Sequence, residues 1–335
     1  GSVIAFSHSV HIQAAKILVQ RFYNELVGGR SIGAALQEAR SALIASPHRF
    51  LHRGPDAKTI ELHDWFIPQL YQVGDDPTLL PRTQASPAPL PPVPVSLPGF
   101  PPEPLYHFHG RAWELLQLER AFRKHNAVLL NGGGGMGKTA LAREAAAWWL
   151  RTGRFTQAVF ISFEQKTTPA RAAQLIGAAF EGANFSSRSG EDNDPQSQRQ
   201  TALRLFRQER VLVVWDNFES TLPIYQQKEG ERGAGAKEEG LQLYSAEDRA
   251  EIQALYREMT QGQPQGRLLV TCRPEQTGLT GIKEYPLRGL LRPDSLHLLA
   301  VIQDKKGSPS YPREEIESLL ELLEDHPLSI ELVAP

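Results

Sequence analysis

The residues best suited to chemistry lie in a glycine-rich run, Gly132–Thr139, that reads Gly-Gly-Gly-Gly-Met-Gly-Lys-Thr. It fits the pattern G-x-x-x-x-G-K-[ST], whose glycines let successive backbone N–H groups curl around phosphate oxygens. Lys138 supplies a mobile positive charge for the β- and γ-phosphates, and the Thr139 hydroxyl is a hard oxygen ligand for Mg²⁺. The run therefore predicts a phosphate-binding loop for ATP or ADP with Mg²⁺. The predicted nucleotide contacts are Gly132, Gly133, Gly134, Gly135, Met136, Gly137, Lys138, Thr139 and Ala140.

A second candidate is the acid that ends the apolar run Val211–Asp216. At the carboxyl edge of a parallel sheet, such an acid faces the ligand crevice, so Asp216 is predicted to hold Mg²⁺, usually through water. The next residue, Asn217, can position water but cannot accept its proton. Glu219 either supplies the missing acid or lies on the surface, and the residues leave both readings open. We therefore expect slow hydrolysis.

Arg273 ends another apolar run, which begins at Leu268. Its planar guanidinium is suited to gripping a γ-phosphate through two hydrogen bonds and so to distinguishing ATP from ADP. The alternative is a structural arginine on the surface, and we favour the sensor. The predicted catalytic set is thus Lys138, Asp216, Asn217 and Arg273. Cys272 is interpreted as a core residue because no base is near it in sequence.

These residues need a scaffold that brings strand ends together, and strands alternate with helices along this part of the chain. That alternation predicts an α/β fold with a doubly wound parallel sheet. Strands are predicted at 127–130, 158–162, 211–215 and 268–271, and helices at 139–151, 169–180, 198–207, 246–259 and 313–323. The polar stretches at 186–197 and 226–240 interrupt the pattern and are predicted to be exposed, flexible insertions.

The pattern of apolar residues in residues 1–80 predicts a smaller α/β segment. Residues 3–6 form an apolar run typical of a strand, residues 14–26 and 31–43 carry apolar residues at helical spacing, and residues 65–73 read as extended. One or two strands are expected here, which is typical of part of a domain.

A proline-rich linker, residues 81–104, separates the two regions, and ten of its 24 residues are proline. Such a run favours polyproline II and predicts a semi-rigid spacer. A docking ligand for an aromatic-lined groove is the alternative.

Composition excludes several classes of function. The net charge of the 335 residues is −2, so the chain lacks the basic footprint of nucleic-acid binding, and nucleic acid is not an expected partner. No stretch of about 20 apolar residues predicts a membrane span. The single cysteine excludes an intramolecular disulfide and fits a reducing compartment, so the protein is expected to be cytoplasmic.

Five motifs of residues 105–335 together resemble the STAND signalling ATPases, the class with NB-ARC and NACHT modules. They are Phe108–Leu115 (hydrophobic-Gly-Arg-x-x-Glu), Gly132–Thr139, Val213–Glu219, Leu269–Arg273 and His326–Leu332, which is similar to the family's G-x-P-L segment. The resemblance implies that Gly110 and Arg111 lie near the base or ribose. It also implies that Pro327 covers adenine and reports the nucleotide state to the following domain. Asp325 stands where the motif usually has Gly.

Residues 3–78 resemble the C-terminal end of the CHAT domain, a caspase-like fold. The resemblance is carried by Phe22-Tyr23, Gly28-Gly29, Ala34–Arg40, Trp65 and Pro68–Tyr71. In that family the protease His and Cys lie upstream, and we find no counterpart in this sequence. We assign no protease site, and interpret His8, His11 and His48 as surface or packing residues.

The two resemblances imply four parts: a partial CHAT domain (1–80), the linker (81–104), a P-loop nucleotide-binding domain (105–290) and the start of a helical domain (291–335). They imply a nucleotide-operated switch that self-associates on activation and controls a CHAT protease effector in cis, in prokaryotic defence or cell death. The trigger stays unknown. A non-hydrolysing scaffold with bound ADP and a STAND-type transcription regulator are the alternatives.

Overall fold

The computed structural model describes residues 1–8, 10–50, 59–80, 95–185, 194–225, 244–307 and 311–334. These residues form two compact units, Gly1–Pro91 and Pro92–Pro335. Most of the predicted linker, at 81–94, and the predicted insertion at 226–240 lie outside the described residues, as do 186–193 of the other insertion.

The first unit pairs two helices with short antiparallel strands. Its helices are α1 (Ile12–Val27) and α2 (Ile32–Ala45), and its strands are β1 (Ser2–Phe6), β2 (His48–Phe50), β3 (Thr59–Glu61) and β4 (Pro68–Gln72). β1 pairs with β4, and β2 with β3. Both predicted helices and the first strand are confirmed. One or two strands were expected and four are present among the described residues of this unit. The sequence did not indicate β2 and β3 because each has only three residues and no apolar run.

The apolar spacing that predicted α1 and α2 forms the core of this unit. Ala14 and Leu18 of α1 are buried against Leu36, Ala39 and Leu43 of α2. Ser31 caps α2, as expected of a helix-starting serine, because its hydroxyl accepts a hydrogen bond from the backbone of Ala34.

The second unit is built on a parallel sheet of five strands. These are β5 (Ala127–Asn131), β6 (Gln157–Ser162), β7 (Val211–Asp216), β8 (Arg267–Cys272) and β9 (Lys283–Pro286), in the order β6-β7-β8-β5-β9. All four pairings are parallel. The doubly wound α/β class predicted from the alternating pattern is confirmed.

Helices cover both faces of this sheet. They are α3 (Ala112–Phe122), α4 (Lys138–Arg151), α5 (Pro169–Glu181), α6 (Pro195–Gln208) and α7 (Ala246–Thr260). Three further helices, α8 (Arg292–Lys306), α9 (Arg313–Leu322) and α10 (Pro327–Val333), form an apolar cluster of their own. Two short 3₁₀ turns, Gly182–Phe185 and Phe218–Thr221, are also present, and residues 223–225 are helical.

The continuous apolar runs of the central strands follow from burial on both faces. Along β7, Val211, Val213 and Trp215 pack with α5, α6 and α7, whereas Leu212 and Val214 pack with α3 and α4. A strand covered on both sides has no polar alternation. This packing fixes the sheet register, so the residues at the strand ends are held in place.

Several elements differ from the sequence predictions. β9, α3, α8 and α10 were not predicted. Helix α6 begins at Pro195 inside the stretch predicted to be a loop, because the Asp194 carboxylate caps the backbone of Gln196 and Ser197 and proline suits the first helical position. None of the described helices is long and apolar enough to cross a bilayer.

Candidate nucleotide-binding site

The glycine-rich loop connects buried strand β5 to helix α4, whose first residue is Lys138. The Lys138 side chain folds back over the loop, where Nζ donates hydrogen bonds to the carbonyl oxygens of Gly132 and Gly133, both at 2.8 Å. Lys138 is only 7% exposed, and this burial lowers its pKa, although the Glu219 carboxylate opposes the shift. A buried ammonium held by neutral carbonyls is poised to accept an anionic partner.

Asp216 lies directly behind the start of α4. The Thr139 hydroxyl donates to its carboxylate at 2.9 Å and 3.1 Å, and the Thr271 hydroxyl donates to it at 2.6 Å. Asp216 is 3% exposed, and burial raises its pKa, whereas the hydrogen bonds from Thr271 and Thr139 lower it. The three side chains bring together the ends of β7 and β8 and the start of α4.

This oxygen cluster fits a magnesium ion in one respect: the predicted ligands, Thr139 and Asp216, are in direct contact at the loop. Among the described residues, no group of three or more His, Cys, Asp or Glu side chains is placed to hold a metal. Mg²⁺ characteristically takes one or two protein ligands and completes its shell with phosphate and water. The residues present therefore suit Mg²⁺ that arrives with a nucleotide.

Thr271 was not singled out from the sequence, yet it is fully buried and bridges two site residues. Besides donating to Asp216, its hydroxyl accepts a hydrogen bond from the backbone N–H of Asn217 at 3.1 Å. Asn217 takes a left-handed conformation, with φ of 55°. Thr271 therefore fixes both the metal-side acid and the residue that follows it.

We expect Thr271→Val to lower the free energy of unfolding by about 1–3 kcal/mol, because it leaves the buried Asp216 carboxylate and the partly buried Asn217 N–H each short of a partner. It should also raise the pKa of Asp216 further. Urea unfolding at several pH values measures both effects. Thr271→Ser, which keeps the hydroxyl, should lose much less; equal loss in the two variants would contradict this role.

The sequence allowed two interpretations of Glu219, an active-site acid or a surface residue. The surface interpretation is wrong. It lies in the 3₁₀ turn after β7 and is 6% exposed. Its carboxylate accepts hydrogen bonds from the Arg273 Nε at 3.0 Å and from the Arg273 backbone N–H at 3.2 Å. Burial is a tertiary property, so no local signal could have decided this.

Arg273 follows β8, as predicted, and its guanidinium approaches the loop. A Cβ added at Gly134 would lie 3.6 Å from the Arg273 Cζ. The side chain is 54% exposed, so its Nη donors remain accessible at the mouth of the site. Cys272 is buried, and burial raises its pKa well above the ordinary value, which fits a core residue.

Arg111 is engaged by the protein itself. Its guanidinium donates to the carbonyl oxygens of Met136 and Gly289, both at 3.1 Å, and to the Glu114 carboxylate at 2.8 Å. It is 4% exposed and lines the cavity described below. We interpret it as a positioning residue that ties the loop to the segment before α8.

Gly110, which precedes Arg111, requires the absence of a side chain. Its φ is +65°, and an added Cβ would lie 2.3 Å from the Asp294 carboxylate. The glycine thus lets the chain pass against the first turn of α8.

Helix α10 docks on the phosphate-binding loop through two hydrogen bonds. His326 Nδ1 accepts the backbone N–H of Ser329 at 3.1 Å, so Nε2 carries the proton and donates it to the Gly134 carbonyl at 2.8 Å. The Leu328 N–H reaches the Gly135 carbonyl at 3.4 Å. His326 was not singled out as a site residue from the sequence. Asp325 takes φ of 54°, the left-handed conformation that a glycine there would favour.

A cavity of about 340 Å³ lies between the loop and α10. Its lining includes eleven of the predicted site residues: Arg111, Gly134, Gly135, Met136, Gly137, Lys138, Thr139, Ala140, Asn217, Arg273 and Pro327. Gly110, Gly132, Gly133 and Asp216 lie outside the lining, and Glu219 and Glu331 belong to it.

Comparison with known families assigns this architecture. The NACHT domain matches residues 126–301, more than half of the chain, and the CHAT domain matches residues 1–76. The chain therefore belongs to the NACHT family of STAND-type P-loop NTPases and carries a CHAT domain at its N-terminal side. The family is that of nucleotide-binding, ATPase-type enzymes.

Solved structures match the chain at low identity. A Walker-type ATPase of Pyrococcus abyssi is 15% identical, with a TM-score of 0.44, and the match covers 67% of this chain and 66% of that one. A STAND protein of Pyrococcus horikoshii with a tetratricopeptide repeat sensor is 18% identical, with a TM-score of 0.42, over 70% of this chain and 30% of that one. This chain thus spans less than two thirds of either protein. A search of curated proteins found no match.

Proposed function

We propose that the chain is an ATP/ADP-operated switch whose nucleotide lies in the cavity between the phosphate-binding loop and α10. The observation that carries this proposal is the direct contact of His326 and Leu328 with the carbonyls of Gly134 and Gly135. The same loop surrounds the phosphates, so a change in bound phosphate acts on the docking of α10. A switch needs the two nucleotides to bind the two states with different affinity.

In this proposal the loop amides and Lys138 bind the phosphates, and Pro327 packs on the adenine. Thr139 and Asp216 hold Mg²⁺, which supplies charge neutralisation when bound. Arg273 senses the γ-phosphate, and Asn217 helps to position water. The Nη groups of Arg273 can reach the γ-phosphate while Nε stays bonded to Glu219, because a guanidinium carries five N–H donors.

The test is to denature the purified protein and identify the nucleotide released. ADP is expected for the resting switch. If the protein releases none and binds neither ATP nor ADP in solution, the proposal fails.

Hydrolysis is proposed to be slow and to depend on Glu219, the buried carboxylate in the cavity lining. We expect Glu219→Gln to lower the rate of phosphate release by about 100-fold or more, as for loss of a general base, while ADP affinity stays within a few-fold. Release of inorganic phosphate over hours provides the measurement. Glu247→Gln, an exposed glutamate in the first turn of α7, is the matched control.

A non-hydrolysing ADP-bound scaffold is the second candidate. The observations that favour it are the amide at Asn217 and the engagement of Glu219 by Arg273. Phosphate release that is absent from the parent and unchanged by Glu219→Gln would select the scaffold.

The wider role follows from the two family matches and is likewise a proposal. The nucleotide-binding domain, at 105–290, with the start of a helical domain at 291–335, controls the CHAT effector at 1–80 through the linker at 81–104. Activation involves self-association, and the setting is cytoplasmic defence or cell-death signalling. The expectation of no nucleic-acid partner stays a prediction, and salt-dependent DNA binding by the purified protein would overturn it in favour of a transcription regulator.

A further inference from the structure

Helix α10 places a carboxylate one turn from the residue expected to cover the base. Pro327 and Glu331 are four residues apart and so share a helix face, and both line the cavity. His326 and Leu328, at the start of α10, contact Gly134 and Gly135 of the loop, and Glu331 lies about one turn further along the helix. Glu331 therefore belongs to the nucleoside end of the cavity, away from the phosphates.

The carboxylate of Glu331 lines this end of the cavity. Within the described part of the chain no residue hydrogen-bonds to it, and it is half-buried, which raises its pKa. The polar edge of neighbouring His109 is used elsewhere: Nε2 meets the Tyr106 carbonyl, and Nδ1 lies 3.2 Å from His297 Nδ1. The Glu331 oxygens are therefore available to a donor on a bound ligand.

The surrounding lining is partly apolar, with Phe108, Leu290 and Leu298. Such a site suits the flat face of a purine and leaves recognition to a few polar groups. Position 6 of the purine ring distinguishes the bases, since adenine presents an amino donor there and guanine a carbonyl acceptor. At position 6 itself, a carboxylate can accept from the amino group of adenine but not from the carbonyl of guanine.

We propose that Glu331 selects adenine by accepting a hydrogen bond from the exocyclic 6-amino group. The inference rests on the proposed function, because the switch site supplies the bound nucleotide. It assigns base specificity to α10, the helix that contacts the loop at its other end.

The experiment compares the affinities of ADP, purine riboside diphosphate, which lacks the 6-amino group, and 2′,3′-dideoxy-ADP. We expect the parent to bind ADP roughly tenfold or more tightly than purine riboside diphosphate, as for a hydrogen bond to a charged acceptor. Glu331→Ala should bind these two equally. Glu331→Gln, which keeps the volume and a neutral acceptor, should retain part of the preference. Glu321→Ala, an exposed glutamate of α9 outside the cavity, should behave like the parent.

Three results would overturn the inference. The first is an unchanged preference for ADP in both Glu331 variants. The second is tighter binding of GDP than of ADP by the parent. The third is a Glu331→Ala variant that no longer distinguishes ADP from 2′,3′-dideoxy-ADP but still prefers ADP to purine riboside diphosphate. That result would place the carboxylate at the ribose. The proposed function fails separately, if the parent binds no adenine nucleotide or if Lys138→Ala binds ADP as the parent does.

Discussion

Replacing Lys138 by Ala is expected to lower the affinity for ADP and ATP by about 100-fold or more. The ammonium is buried over the loop, where it is proposed to donate charge-assisted hydrogen bonds to phosphate, and the loop, Gly132–Thr139, contains no second cation. Isothermal titration with each nucleotide measures the change. Hydrolysis should fall at least as far, because the same charge serves the γ-phosphate.

Lys124→Ala is the matched control, since Lys124 is an exposed lysine of the same unit. It should bind nucleotide like the parent. The loss in Lys138→Ala must occur without a comparable fall in melting temperature, because Nζ also bonds two loop carbonyls. Parental affinity in this variant would mean that the phosphates bind elsewhere.

A second large effect is expected for Gly135→Ala, which should separate α10 from the phosphate-binding loop. Gly135 has φ of +78°, and an added Cβ would lie 2.7 Å from both the His326 ring and the Leu328 Cβ. The backbone strain and the forced displacement together should cost roughly 2–4 kcal/mol. Faster hydrogen exchange of the α10 amides and a lower urea midpoint are the observables.

Gly133→Ala tests the same substitution in the same loop without the clash. The nearest atoms to its added Cβ belong to Met136 and lie 3.8 Å away, and its φ is not in the left-handed range. It should leave α10 protected. Equal deprotection in the two variants would show that the loop as a whole, and not the contact at Gly135, holds the helix.

The core of the site was predictable because its signals are local. An apolar strand, a glycine loop and an amphipathic helix follow each other without a break from Ala127 to Arg151, and Asp216 and Arg273 each end an apolar run. Parallel strands bring their carboxyl ends to one edge. The position of these residues around one crevice therefore followed from the alternation of strands and helices.

What the sequence concealed is set by contacts across the fold. Thr271 lies 55 residues from its partner Asp216, and whether Glu219 is buried depends on the packing of β7 against β8. Strand β9 was missed because it is a largely exposed edge strand with no apolar run. Helix α10 was missed because it has only seven residues and because its N-cap is a histidine, which is not a usual capping residue.

The three acceptors of Arg111 bear on where this functional module begins. One lies on the phosphate-binding loop, one just before α8 and one on α3, so a single guanidinium fastens three distant stretches of the chain. The stretch that matches the NACHT family starts at residue 126, fifteen positions after this arginine. A protein cut to that match would retain every residue proposed to bind phosphate and lose the arginine that holds the loop in position. We therefore expect the smallest unit that binds nucleotide with full affinity to be larger than the family match.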